Sequence, residues 1–541
     1  MRNLLAILVC LFTLVTPAIA DESPADFTFV NRGEVSTLDP NKMSWLQDIR
    51  IAYAIWEGLY ALDPATLEPA PGAAERVDVS EDKKTWTFHL RPDGKWQNGD
   101  PVTSADFVFA WRRMLEEPAD YTYLFHYIVG AESYESAFSS GEKPDFKAVG
   151  IEAIDERTLR VRLVSPVLFF PDLCAFPPFF PLHEKSMKAF RQEDGKTYRA
   201  EFTLPPNLVG NGPYQLTTWA FKQKLRLQAS DQYWDRAHVK SRVIDMVSAD
   251  EQLQAFLRYD SGAVDWLAEI TGPIAADLKA KGRADFHVFP GFGTYFYSVN
   301  CQSTLPGGRD NPFKDARVRR AMTMAINKKV IVENITKLGE PIATSFVPTG
   351  IFPTYPAVTG IAYDVAGAKK LLADAGYPGG AGLPKFTILF NNEAHHKPVA
   401  EFVRRQWISV LGMQVELEGL EIQSFRPRLH NRDYDIARAS WIGDYNDVST
   451  FTDKYRSASL NNDSGWKNAE YDALTEQAVT ETDAGRRLAL LAKAEQILID
   501  EAPIIPLYHY VNGYCFRDNV HGIPLHPRNM IMLKGVSVER K

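Results

Sequence analysis

Polar and apolar residues alternate through Thr85-Trp86-Thr87-Phe88-His89-Leu90, the period-two pattern of a strand with one buried face. Thr103 and, three residues on, Asp106 make a capping box, after which Phe107, Trp111, Met114 and Leu115 recur at helical spacing. Residues 385–390 read as a strand. Residues 398–411 read as a helix, with Val399, Phe402, Val403, Trp407, Val410 and Leu411 on one broad apolar face. Gly412 ends that helix and 413–417 resumes as a strand, so the stretch predicts a βαβ unit. A further helix is expected over 364–375, capped by Asp364 and stopped by Gly376 and Pro378. A long one is expected over 484–500, ending before Pro503. There is no internal repeat and no low-complexity linker. Closely packed α/β domains fit this pattern.

The chain has 541 residues, which predicts about three or four domains at roughly 150 residues each. Hydrophobic residues at 45% and charged residues at 24% are ordinary for a globular chain and argue against bulk disorder. The net charge of −8 weakens any reading that depends on overall basicity, such as nucleic-acid coating. The first twenty residues have their own pattern: Arg2, an uncharged run over 4–15, then Ala18-Ile19-Ala20 before Asp21. This is a secretory signal peptide with cleavage expected after Ala20. The apolar run is shorter than the ~20 residues of a spanning helix. Cys10 follows Val9 rather than the small residue of a lipoprotein signal. Without Cys10 only Cys174, Cys301 and Cys515 remain, so at most one disulfide forms within the chain and the fold is not a disulfide framework.

Catalytic motifs are scarce. The chain has no GxSxG, HExxH, Walker loop or GxGxxG. Gly210-Asn211-Gly212-Pro213 reads as a turn rather than a phosphate cradle. His395-His396 reads as a polar loop before a helix, because adjacent residues do not share a face and make a poor metal pair. One stretch stands apart. Residues 433–447 begin as a strand and end in a loop rich in Gly, Asp and Asn. Arg438 shares a strand face with Ile436 and Ser440, Trp441 lies on the other face, and Asp444 and Asp447 follow with no basic residue between. A carboxylate at a strand end beside an aromatic ring suits capture of a cationic amine. On local chemistry alone, an Asp in such a loop is more often a turn former or helix cap.

The segment Arg438-Ala439-Ser440-Trp441 through Asp444-Tyr445-Asn446 resembles the ligand-site segment of bacterial periplasmic oligopeptide-binding proteins, of the peptide/nickel solute-binding family that serves ABC importers. Other matching pieces run in collinear order over essentially all of the mature chain. They include Ser36-Thr37-Leu38-Asp39-Pro40, Glu57-Gly58-Leu59, Lys95-Trp96-Gln97-Asn98-Gly99-Asp100-Pro101-Val102-Thr103, Asn211-Gly212-Pro213-Tyr214, Arg317-Val318-Arg319, Ala375-Gly376-Tyr377 and Pro503-Ile504-Ile505-Pro506-Leu507-Tyr508. The combination is specific where each piece alone is weak.

The resemblance implies a two-lobed α/β solute-binding fold with a hinge, the ligand enclosed between the lobes, and a third, smaller domain inserted in the first lobe. Lobe I would be discontinuous (21–57, 187–292 and 511–541), the extra domain would be 58–186, and lobe II would be 293–510. It implies peptide binding in the periplasm and delivery to an inner-membrane ABC permease by a monomer, with no enzymatic activity, cofactor, metal or nucleic acid. Asp444 matches the aspartate that pairs with the peptide α-ammonium. Arg438 and Trp441 match residues lining the same site, and Tyr123 and His396 match further pocket positions. The oligopeptide binders carry a Cys after this Trp, bonded to one upstream; here those positions read Ile442 and Gly293, so that bond is not expected. A family acid near Ser44 is also missing, which leaves peptide length open. The alternatives are another small ligand on the same scaffold (a murein peptide, an opine or a metal complex) and an exported enzyme such as a peptidase.

Overall fold

The computed structural model describes residues 23–540 apart from Arg32, Gly195, Lys196, Asp250 and Ala394. The expected leader and its cleavage site lie outside the described residues.

Two strands organise the molecule. Phe286–Val299 and Ile504–Phe516 run antiparallel for 14 and 13 residues. Their register shifts between Pro290 and Thr294, where Gly291 lies against Tyr510: a Cβ there would meet the Tyr510 side chain at 2.9 Å. Such a bulge bends a strand and increases its twist. On one side of it the pair continues through Trp266–Leu267, Phe27–Val30, Val243–Val247, Lys224–Ala229 and Tyr214–Ala220. On the other side it continues through Ile436–Ile442, Phe386–Asn391 and Val415–Leu420. The ten strands form one sheet, and the two long strands are the members common to both halves. The predicted βαβ unit is present. Phe386–Asn391 pairs parallel to Val415–Leu420, with helix His396–Leu411 between them and Gly412 closing the helix at φ 68, a conformation glycine adopts without strain.

A separate antiparallel sheet of Ala74–Val79, Thr85–Leu90, Thr158–Arg162 and Ile151–Asp155 is accompanied by helix Ser104–Glu116. The predicted capping box is formed, and the Asp106 carboxylate also accepts from the Trp96 indole at 3.2 Å. Phe107, Trp111, Met114 and Leu115 are fully buried in an aromatic core that includes Phe125 and Phe179, whose rings stack 4.0 Å apart. This core is continuous with the one around Phe27, Ile51 and Trp266, so the small sheet is fused to one half of the molecule. Residues 210–213 form a clasp rather than a free turn: the Asn211 side chain accepts from Glu57 N and donates to Glu57 O, both at 2.9 Å. In the other half, separate cores line the two faces of the large sheet, one around Tyr297, Trp407 and Ile436 and one around Phe296, Phe346 and Phe451.

Candidate functional site

Strand Ile436–Ile442 alternates as expected. Ile436 belongs to the core around Trp407, while Ala439 and Trp441 belong to the core around Phe451. Arg438, on the Ile436 face, lies over the Tyr295 ring at 5.0 Å. It donates to the Tyr510 hydroxyl at 3.0 Å and to Asn391 Oδ1 at 3.4 Å. Its Nε is buried without a partner, and no ion pair to Arg438 is found among the described residues. His396 is not in a polar loop. It is the first residue of helix His396–Leu411, 8% exposed, with its ring 5.5 Å from Tyr295. The opening residues of a helix carry little periodic signal, which hid this in the sequence. Burial, reinforced by the Arg438 charge, depresses its pKa to about 2 and keeps it neutral. His396 Nδ1, Asn391 Nδ2 and the hydroxyls of Tyr295 and Tyr297 are also buried without partners. Unpartnered buried polar atoms are uncommon, and a cluster of them around one guanidinium requires an explanation.

Beyond the strand end, loop residues 443–447 carry the second group. Tyr123 donates from its hydroxyl to Asp444 Oδ2 at 2.5 Å, joining positions 321 residues apart. The Asp444 backbone N–H is held by Thr450 Oγ1 at 2.9 Å. Half-buried and walled by tyrosines, Asp444 has its pKa raised to about 6. Desolvation drives the shift, and the Tyr123 bond and the Lys454 charge oppose it. Trp441 stands beside this loop and donates from its indole to Thr450 O at 2.7 Å. One side of its ring is occupied, because the Lys454 ammonium lies 4.6 Å from the ring centre and is paired to Asp463 at 3.0 Å. The ring therefore supports Lys454 instead of presenting that face to a ligand cation. Of the five expected residues, the structure brings Asp444, Tyr123 and Trp441 together at one end of the strand and Arg438 and His396 at the other.

Tyr295, Tyr510 and Asn391 were missed in the sequence. Tyr295 and Tyr510 sit on the long strands, where nothing in their local pattern marks them for a site. Gly293 and Ile442 are register partners across the antiparallel strands. A Cβ on Gly293 would collide with the Ile442 side chain, so the bare glycine and the branched side chain fill this position together. Cys174, Cys301 and Cys515 are free. No group of three or more potential metal ligands is found among the described residues.

The chain matches the family of bacterial extracellular solute-binding proteins, family 5, over residues 68–463. It belongs to this family. The periplasmic oligopeptide-binding protein OppA of Escherichia coli is 32% identical over 539 residues, 96% of each chain. The oligopeptide-binding protein OppA of Bacillus subtilis is 33% identical, covering 86% of this chain and 84% of that protein. Among solved structures, the murein tripeptide binding protein MppA of E. coli matches with a TM-score of 0.82 at 28% identity, over 96% of this chain and 99% of that one. The unliganded open form of MppA matches at 0.75. The lower score accords with bonds such as Tyr123–Asp444, which bring the small-sheet region against the half that carries the site. The shared fold is the two-lobed solute-binding fold.

Proposed function

We propose that this protein captures oligopeptides outside the cytoplasmic membrane and hands them to an ABC-type importer, and that it does so as a binding protein without catalysis. The observation that carries the reading is the strand Ile436–Ile442 with a raised-pKa carboxylate beyond one end and an arginine lacking a carboxylate partner near the other. A peptide has the complementary ends. Its α-ammonium would pair with Asp444, which Tyr123 orients, while Trp441 backs the loop through Thr450. Its carboxylate would meet Arg438 and the unpartnered donors around it, with neutral His396 among them. Arg438 and Asp444 are six residue steps apart, a span of at most about 20 Å. That suits an extended ligand of roughly two to five residues, whose main chain would supply the remaining hydrogen bonds.

The bulge in the long strands supports a hinge between two lobes. Residues 21–57, 187–292 and 511–541 would form lobe I, 58–186 the domain inserted in it, and 293–510 lobe II, with the ligand between them. Export would use the leader, cleaved after Ala20, and the mature protein would act as a periplasmic monomer. The relatives support an oligopeptide ligand, though not its length: periplasmic oligopeptide-binding OppA of E. coli, and OppA of Haemophilus influenzae, solved with the nine-residue peptide RPPGFSPFR at a TM-score of 0.79. A murein peptide is the second reading, favoured by the 0.82 match to the murein tripeptide binder.

The test is incubation of the purified protein with a pool of di- to pentapeptides, with and without murein tripeptide, followed by mass spectrometry of bound and free fractions. Intact bound peptides support the reading. Capture of murein tripeptide in preference to the pool supports the second one. Cleaved peptides, or none bound, would overturn both.

A further inference from the structure

Loop residues 443–447 carry Asp444 and are tied down from two sides. From their own half, Gly443 N donates to Phe292 O at 2.9 Å, Asp444 N to Thr450 Oγ1, and the Asp447 carboxylate binds Arg487 through two contacts of 2.7 Å. From the small-sheet region, the Tyr445 ring stacks on Phe169 at 4.3 Å and 12°, and its hydroxyl lies 3.4 Å from that of Tyr127. The Tyr123 hydroxyl donates to Asp444 Oδ2 at 2.5 Å, and one further tie is a backbone one. Asn446 N donates to Asp172 Oδ2 at 2.8 Å. Among the described bonds of this loop's amides, it is the one whose acceptor comes from that region.

Asp172 is built for more than this contact. It sits on the short helix Phe170–Cys174, 4% exposed, and its carboxylate is held by both ends of the Arg528 guanidinium at 2.8 and 3.1 Å. Arg528 is itself buried, and also donates to Leu67 O at 3.1 Å. The carboxylate is thus aimed and charge-compensated from the C-terminal tail before it meets the loop. A carboxylate locked in this way accepts from a backbone N–H in only a narrow range of loop positions. Asn446 is two residues from Asp444, so the position of one limits the other.

We propose that Asp172 is a positioning residue for the ammonium site: held bidentately by Arg528, it fixes the Asn446 backbone and through it the orientation in which Asp444 meets the ligand. This rests on the reading that Asp444 takes the ligand ammonium. It adds a three-segment junction, Arg528–Asp172–Asn446, that forms only when the small-sheet region and the loop meet. The junction therefore couples closure to recognition of the ligand's free amine. Loss of the junction would not abolish binding. It would loosen the loop and weaken the preference for a free amine.

The test compares binding of a random pool of di- to pentapeptides with that of the same pool N-acetylated, by titration calorimetry at pH 7.5. The proteins are wild type, Asp444→Asn, Asp172→Asn and the double variant Asp172→Asn/Asp444→Asn. Wild type should prefer the free-amine pool, and Asp172→Asn should reduce that preference by about five- to tenfold, the size of a typical coupling between sites acting on one another. Added to Asp444→Asn, it should produce little further change in the preference. Asp172→Asn with Arg528→Gln leaves no unpaired buried charge and serves if the single variant does not fold; it should show the same loss of preference. Equal weakening for both pools would make Asp172 a general closure contact and overturn the positioning role, as would an unchanged preference. If Asp444→Asn itself leaves the wild-type preference intact, the assignment of Asp444 fails. If Asp444→Asn removes the preference and the Asp172 variants keep it, only the positioning role fails.

Discussion

Substitution of Asp444 by Asn separates charge from shape at the proposed ammonium site. The amide has the size of the carboxylate, and its oxygen still accepts the Tyr123 hydroxyl, which lies 2.5 Å from Oδ2. What is lost is the negative charge, in a place where burial raises the carboxylate pKa to about 6. The site is already partly desolvated, so a ligand ammonium enclosed there regains little from water. Truncating one member of a buried charge pair costs roughly 2–5 kcal/mol. Retention of the hydrogen bond places this variant in the lower half, about 2–3.5 kcal/mol, or roughly 30- to 300-fold in affinity at about 1.4 kcal/mol per tenfold. The assay is calorimetry with one peptide recovered from the protein and its N-acetylated form, on wild type and variant. The variant should lose affinity for the free amine and almost none for the acetylated peptide, which wild type binds poorly. A turn-forming aspartate would instead lower the melting temperature and leave the preference for a free amine intact. Equal affinity of wild type for the two peptides would refute the assignment.

Three other outcomes follow from the same structure. The Asp444 carboxylate must be charged to hold an ammonium, so affinity for free-amine peptides should fall about tenfold per pH unit below 6; Asp444→Asn should lack this dependence, and titrations at pH 7.5, 6 and 5 check it. Glu495 is fully buried and its pKa rises to about 7 through desolvation, while it accepts from Phe346 N, Val347 N and the Tyr355 hydroxyl. Its folded pKa lies above the unfolded value near 4.5, so its contribution is fully present below pH 4.5 and is lost as pH rises through 7, a change on the order of 3 kcal/mol. Glu495→Gln keeps an acceptor for both amides and should flatten that part of the stability profile in denaturant melts between pH 4.5 and 8; a profile identical to wild type would contradict the account. The denatured, unreduced mature protein should titrate as three free thiols, since Cys174, Cys301 and Cys515 are all unpaired; one thiol would mean a disulfide the fold does not contain.

Local order was legible where a residue's neighbours in sequence are also its neighbours in space. The capping box of Thr103 and Asp106, the Gly412 stop and the βαβ unit joining Phe386–Asn391 to Val415–Leu420 all follow from spacing alone. So do the opposite faces of Arg438 and Trp441, because the side-chain period of a strand is two. Contacts between distant segments left no such trace. Tyr123 and Asp444 are 321 residues apart, and only resemblance to a family placed them in one site. The junction of Arg528, Asp172 and Asn446 joins three segments whose local patterns are an ordinary loop, a short helix and a turn. The bulge at Pro290–Thr294 depends on what Ile504–Phe516 offers across from it, which the sequence of one strand does not contain. The Lys454 ammonium on Trp441 likewise changed the meaning of an aromatic residue that local chemistry had marked as a cation platform.

The most direct measurement is native mass spectrometry of the protein as purified, followed by denaturation and sequencing of what is released. Release of a ligand enclosed between two lobes requires them to open, which slows its loss during purification. The account predicts a mass above that of the mature chain and, on unfolding, intact peptides of roughly two to five residues with free amino termini. A bound species lacking a free amine, or a protein that carries nothing and takes up no peptide when one is supplied, would contradict it.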